Sequence, residues 1–242
     1  MSNIINFQLS VFCNKRIEPT SEKITDLMKE IKSISQMDFL PNIINGQIID
    51  MMAKQVIKVS NLSFATPDQT RQIIYMDDRI DFISNAVDEV FLEYEKELSL
   101  AEALLQFVLE RDSIQGNRLA LNLKMICENS FDGISPFAIK LCKPLDYYID
   151  KPIEEWSNRC NTRETIRLGE LDEVLNVVTS LSMTQNISTA QKYVLCHIDI
   201  NTIAERNSFR FSSESIADFV AEVKPIADNI KSNFSEVSCY NE

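Results

Sequence analysis

One pattern occurs twice along this chain: an alternating strand, a helical segment, a run of about three strands and a long amphipathic helix, once before residue 113 and once after it. A chain ordered this way is confined to α+β architectures, because each sheet face must be covered by the helices that its own segment supplies. The expected fold is therefore two similar halves, 1–113 and 114–242, packing helices on one face of a curved antiparallel sheet. A loop-rich insertion is expected at 129–163. Corresponding parts lie roughly 110 to 125 residues apart, with slight similarity at the level of single residues.

The first strand is Ile5 to Phe12, where Phe7, Leu9 and Val11 alternate with polar neighbours and face the core. Pro19-Thr20-Ser21-Glu22 is a helix-start signature, and Ile24, Leu27, Met28 and Ile31 follow at helical spacing. Phe39-Leu40-Pro41 reads as a break and Asn45-Gly46 as a turn pair, with a strand expected at 47–52. Strands follow at Val56 to Phe64, Arg71 to Met76 and Arg79 to Ile83. Their short connections predict an antiparallel meander. The apolar stripe Val90, Phe91, Tyr94, Leu98, Ala101, Leu104, Leu105 and Val108 predicts a helix from about Asp88, with Ser99 as an alternative start.

The second half opens with a strand at Leu119 to Cys127. Short helices are expected near Pro136 to Leu141 and near Ile153 to Arg159, the latter carrying Trp156. Strands follow at Glu164 to Leu168, Val174 to Met183 and Lys192 to Ile200. Ser212-Ser213-Glu214-Ser215 then opens a closing helix with Pro225 inside it.

Composition narrows the function. Thirty-six acidic against 24 basic residues give a net charge of −12, a field that disfavours direct binding of nucleic acid. No run approaches a membrane span, and the N-terminus has no leader pattern, so a cytoplasmic protein is expected, with no membrane partner. The six cysteines are spaced too widely for a CxxC pair, and Cys13, Cys127 and Cys196 fall in apolar strands as small buried thiols. Four glycines form no GxGxxG, P-loop or GxSxG motif, so no cofactor is expected.

Three constellations remain. His197 and Asp199 share a strand face and form an acid/base or metal pair in outline, although the chain has no second histidine and a hydrogen-bonded structural role suits His197 better. Asp77, Asp78 and Asp81 gather carboxylates suited to a divalent cation, while turn chemistry accounts for them as well. Trp156, Tyr147, Tyr148 and Phe137 form an aromatic cluster in the expected insertion, suited to core packing or to a protein-binding patch.

Ile73 to Phe82, Asn117 to Leu123 and Val194 to Ile200 with the helix after them resemble a sporadically distributed prokaryotic family of uncharacterised α+β proteins of similar length. The chain lacks that family's Pro-rich N-terminal pattern and reads Leu121-Asn122-Leu123 where its Arg-Tyr-x-Asn signature falls. The resemblance implies an accessory gene product, with phage defence among the roles, and it transfers no catalytic residue. The expected function is a non-catalytic protein-binding subunit with a protein partner, leaving a homo-oligomer open. The alternatives are a metal-dependent nuclease or phosphoesterase and an acidic nucleic-acid mimic or antitoxin.

Overall fold

A computed structural model describes residues 2–13, 20–50, 55–88, 90–128, 146–148, 155–186 and 189–238. The first strand, β1 (Asn3–Cys13), leads to α1 (Ser21–Ser35), then to β2 (Leu40–Asp50), β3 (Gln55–Ala65), β4 (Arg71–Tyr75), β5 (Arg79–Asn85) and α2 (Tyr94–Arg111). The chain continues through β6 (Gly116–Glu128), a 3₁₀ turn at Asp146–Tyr148, β7 (Ser157–Leu168), β8 (Leu171–Gln185), β9 (Lys192–Thr202) and α3 (Glu214–Ser238).

All nine strands join one open antiparallel sheet in the order β2-β3-β4-β5-β1-β6-β9-β8-β7. The strand order before and after residue 113 can be compared directly. A first strand is left behind, a meander returns so that its last strand pairs with the first, and a helix follows. Thus β5 lies beside β1, and β9 beside β6. The halves meet where β1 pairs with β6, at the middle of the sheet. Among the described residues, α1 and β2 have no counterpart in the second half.

Alternation fixes which face is buried. Val11 lies opposite Ile80 on one side and Leu119 on the other, and Leu9 lies between Phe82 and Leu121, so large apolar side chains form continuous rows across the strands. The helices cover this face. α2 packs on β1 and β5, α3 packs on β6, β7 and β9, and α2 touches both α1 and α3. The Phe7 ring meets Phe82 edge to face at 6.2 Å. The opposite face carries Gln8, Ser10, Asn122, Asp199 and His197.

Local chemistry sets the ends of α1. The Thr20 side chain accepts the Lys23 amide, and Gln36, at φ 56°, closes the last turn by donating to the Lys32 carbonyl. At the start of β6, Gly116 is required by a close approach: a Cβ there would lie 2.7 Å from the Val11 side chain.

Several expectations are corrected. The second helix starts at Tyr94, and Val90 and Phe91 lie outside it, 72% and 38% exposed. A Val87–Val90 turn through Asp88, at φ 50°, and a Leu92 amide bonded to the Ile4 carbonyl hold this segment against β1 instead. Ser99 lies within α2 and starts nothing. Asn45 and Gly46 are interior to β2, opposite Ser60 and Val59, and form no turn. Pro41 also sits in β2, which is tolerated because β2 is an edge strand. Ser157 to Arg159 begin a strand, not a helix, and the expected loop-rich insertion 129–163 gives way to β7 from Ser157 onward. The helix expected at 136–141 lies outside the described residues. No helix among the described residues is long and apolar enough to cross a membrane.

Candidate functional site

On β9, His197 and Asp199 point to the face opposite the helices, and each has its own partner. His197 Nε2 lies 3.2 Å from Asn122 Oδ1, and Asp199 accepts a 2.8 Å bond from Asn201 Nδ2. Asn201 in turn accepts from Arg118 Nη2 at 2.8 Å, so Asp199 ends a chain of polar contacts running in from β6. Burial lowers the His197 pKa, with Lys124 adding to the effect and Asp199 opposing it. The imidazole is therefore neutral at physiological pH, held by an amide.

Asp77 and Asp78 lie in the β4–β5 turn, which closes through the Met76 amide and the Arg79 carbonyl at 2.8 Å. Asp81 is elsewhere in character: fully buried on β5, with Arg79 Nε 3.0 Å from Oδ2. Burial raises its pKa, while the Ser10 hydroxyl, Arg79 and the Gln8 amide pull it down and Asp78 adds to the rise. Among the described residues, no group of three or more His, Cys, Asp or Glu side chains comes together to hold a metal ion.

Trp156 immediately precedes β7, half-buried against the core, and its carbonyl faces the Met183 amide at 3.4 Å. Tyr147 is 68% exposed on the 3₁₀ turn. The Tyr148 side chain and Phe137 lie outside the described residues, as do Cys142 and Cys239. Cys13, Cys127 and Cys196 are buried, and burial pushes the Cys196 thiol up to about 12. Cys196 is therefore protonated and unreactive at neutral pH.

The sheet edges were not anticipated. β2 and β7 terminate the sheet, each paired on one side only. β2 exposes Leu40, Ile43 and Ile44. β7 is twelve residues long and exposes nearly every side chain from Ser157 to Thr165. Only Ile166 and Leu168 tuck into the core beneath α3. Arg159, Arg163 and Arg167 recur every fourth residue and so share one face of the strand, the face away from the helices. Arg163 meets Glu205 at 3.2 Å and Arg167 meets Glu170 at 3.0 Å, both as exposed pairs. On the helix side, a groove of about 470 Å³ runs between β7 and the second half of α3, lined by Cys160, Thr162, Val177, Ile226 and Ile230. The four-residue arginine spacing was visible in the sequence, but it signals a strand face only once the segment is known to be extended.

Charge is distributed unevenly. α2 and α3 carry nine acidic and four basic residues, whereas β7 carries three basic and one acidic. Compared with known proteins, the chain matches no protein-family model and no curated protein.

Proposed function

We propose that the protein is a non-catalytic, protein-binding subunit of a larger assembly. The observation that carries this reading is the open sheet with two long edge strands, β2 and β7, whose outer backbone groups face no neighbouring strand among the described residues. Natural sheets protect such edges with covering segments, short strands, bulges, Pro or exposed charges, or use them to receive a partner strand. Exposed Leu40, Ile43 and Ile44 on one edge and the arginine row on the other give the edges different chemistry and suit them to different contacts. Cys196, a free and buried thiol, suits a reducing cytosol. The matched routes of the two halves support descent from one duplicated unit, with the β1–β6 pair as the junction between the copies.

A second reading, an acidic mimic that covers a basic partner, draws on the acidic outer surface of α2 and α3. One experiment weighs both: affinity purification of the tagged protein from its native host at low and at high salt. A stoichiometric protein that stays bound at high salt supports the subunit. A complex that dissolves as salt rises favours the mimic, since exposed charges are screened within about 10 Å at 0.1 M. A protein that purifies alone under both conditions removes both readings.

A further inference from the structure

We infer that β7 receives an added strand from a partner protein, and that this strand alternates acidic and apolar side chains. The inference rests on the protein-binding reading and specifies its ligand. The backbone of β7 pairs with β8 along one side over its full length, from Ser157 opposite Ser182 to Leu168 opposite Leu171. Along its other side it faces no strand among the described residues. A segment laid there exchanges main-chain hydrogen bonds with β7, and its side chains project alternately to the two faces of the sheet.

The two faces ask for opposite chemistry. Away from the helices, the added side chains lie beside Arg159, Arg163 and Arg167, in a chain whose net charge is −12. Carboxylates at alternate positions suit this row. The existing partners of Arg163 and Arg167 are exposed, with Glu205 and Glu170 63% and 94% accessible, so they are readily exchanged for the partner's carboxylates. Toward the helices, the same strand sets its other side chains over the groove, where the half-buried Ile226 and Ile230 of α3 stand opposite Val177 and Thr162. Glu164 and Asn229 also line that space, so a carboxylate is disfavoured there, and apolar side chains pack on Ile226 and Ile230.

A second copy of this chain is a poor occupant. In the antiparallel register centred on Arg163, that residue opposes its own copy and Arg159 opposes Arg167, which places like charges directly across the pair.

The test uses the full chain and three fluorescein-labelled peptides of about nine residues: one alternating Leu with Glu, one alternating Leu with Lys, and the Leu/Glu peptide N-methylated along one backbone edge. Anisotropy titrations are run against the wild type and the doubly substituted Arg159→Glu, Arg163→Glu protein, whose folding is checked by Trp156 fluorescence. The wild type is expected to bind the Leu/Glu peptide about tenfold or more tighter than the other two. The charge-reversed protein is expected to prefer the Leu/Lys peptide. Absence of saturable Leu/Glu binding overturns the inference, and so does binding indifferent to N-methylation or to charge reversal. A wild-type dimer in sedimentation that charge reversal dissolves assigns the edge to a second copy, and also overturns it. Capture from host extract separates this failure from that of the broader reading. If both proteins retain the same stoichiometric partner while the peptides fail, the subunit stands and β7 is not its contact.

Discussion

At Glu173 a carboxylate with no solvent exposure is gripped by the Arg210 guanidinium, Nε to Oε1 at 2.6 Å and Nη2 to Oε2 at 2.9 Å, with Arg206 at 3.4 Å. Arg210 also donates to the Asn117, Arg206 and Ser208 carbonyls, so one side chain ties the β9–α3 connection to β6 and β8. Removing one partner leaves a buried charge uncompensated. Arg210→Ala is expected to cost roughly 3–5 kcal/mol in urea denaturation, more than any exposed pair in the molecule. Glu97 is a similar case, buried under α2 between Arg71 and the Ser84 hydroxyl, which donates at 2.6 Å. Neither role can be read from sequence, where both look like surface carboxylates. Their partners lie 26 and 37 residues away and become neighbours only through the sheet. Asp81 yields a pH prediction. Its folded pKa is raised above the ordinary 3.8, chiefly by burial, so the folded state holds the proton more tightly than the unfolded chain. The resulting stabilisation is complete below that value and is lost as pH rises through the folded pKa. Wild type should therefore lose ground to Asp81→Asn as pH increases, so that the wild-type melting temperature minus that of the variant falls, and a signed difference that stays flat or rises contradicts the assignment.

Among elements, the strands with one buried face were legible and those without were not. β1, β5, β6 and β9 show apolar alternation because one side of each contacts helices. β7 shows none between Ser157 and Thr165, since it lies at the sheet edge, where α3 leaves an open groove above it and side chains on both faces are exposed. Its residues therefore carried no period to read. The start of α2 misled for the opposite reason. Val90 and Phe91 stand at helical spacing from Tyr94, yet bridges Val87–Val90 and Ile4–Leu92 hold them in an extended segment. The contact from β1 that fixes them is about ninety residues away in sequence and invisible to a local pattern. A substitution pair tests this boundary. Val90→Ser should change stability by no more than about 0.5 kcal/mol, as at an ordinary exposed site. Leu104→Ala, on the fully buried stripe of α2, should cost about 2–5 kcal/mol. A large loss at Val90, measured by the same denaturation, would restore it to the core.

For the molecule as a whole, the continuous sheet decides whether the stretches before and after residue 113 behave as two units. β1 pairs with β6 from Asn3 opposite Ile126 to Cys13 opposite Gly116, at the centre of the nine strands, and the core rows run straight through this pair. α2 and α3 also pack on each other above it. Unfolding either half alone would expose a central strand edge and the apolar face of the remaining sheet, so the two should melt together. The chain contains a means to see this, because its single tryptophan, Trp156, lies in the second half against the core. Phe82 lies in the first half, fully buried, and its replacement by Ala should cost about 3–5 kcal/mol. If the sheet couples the halves, Phe82→Ala moves the Trp156 fluorescence transition to lower denaturant as far as it moves the far-ultraviolet circular dichroism, and the two curves coincide. A Trp156 transition that stays in place while circular dichroism splits into two steps would show independent halves, with the β1–β6 pair contributing little to cooperativity.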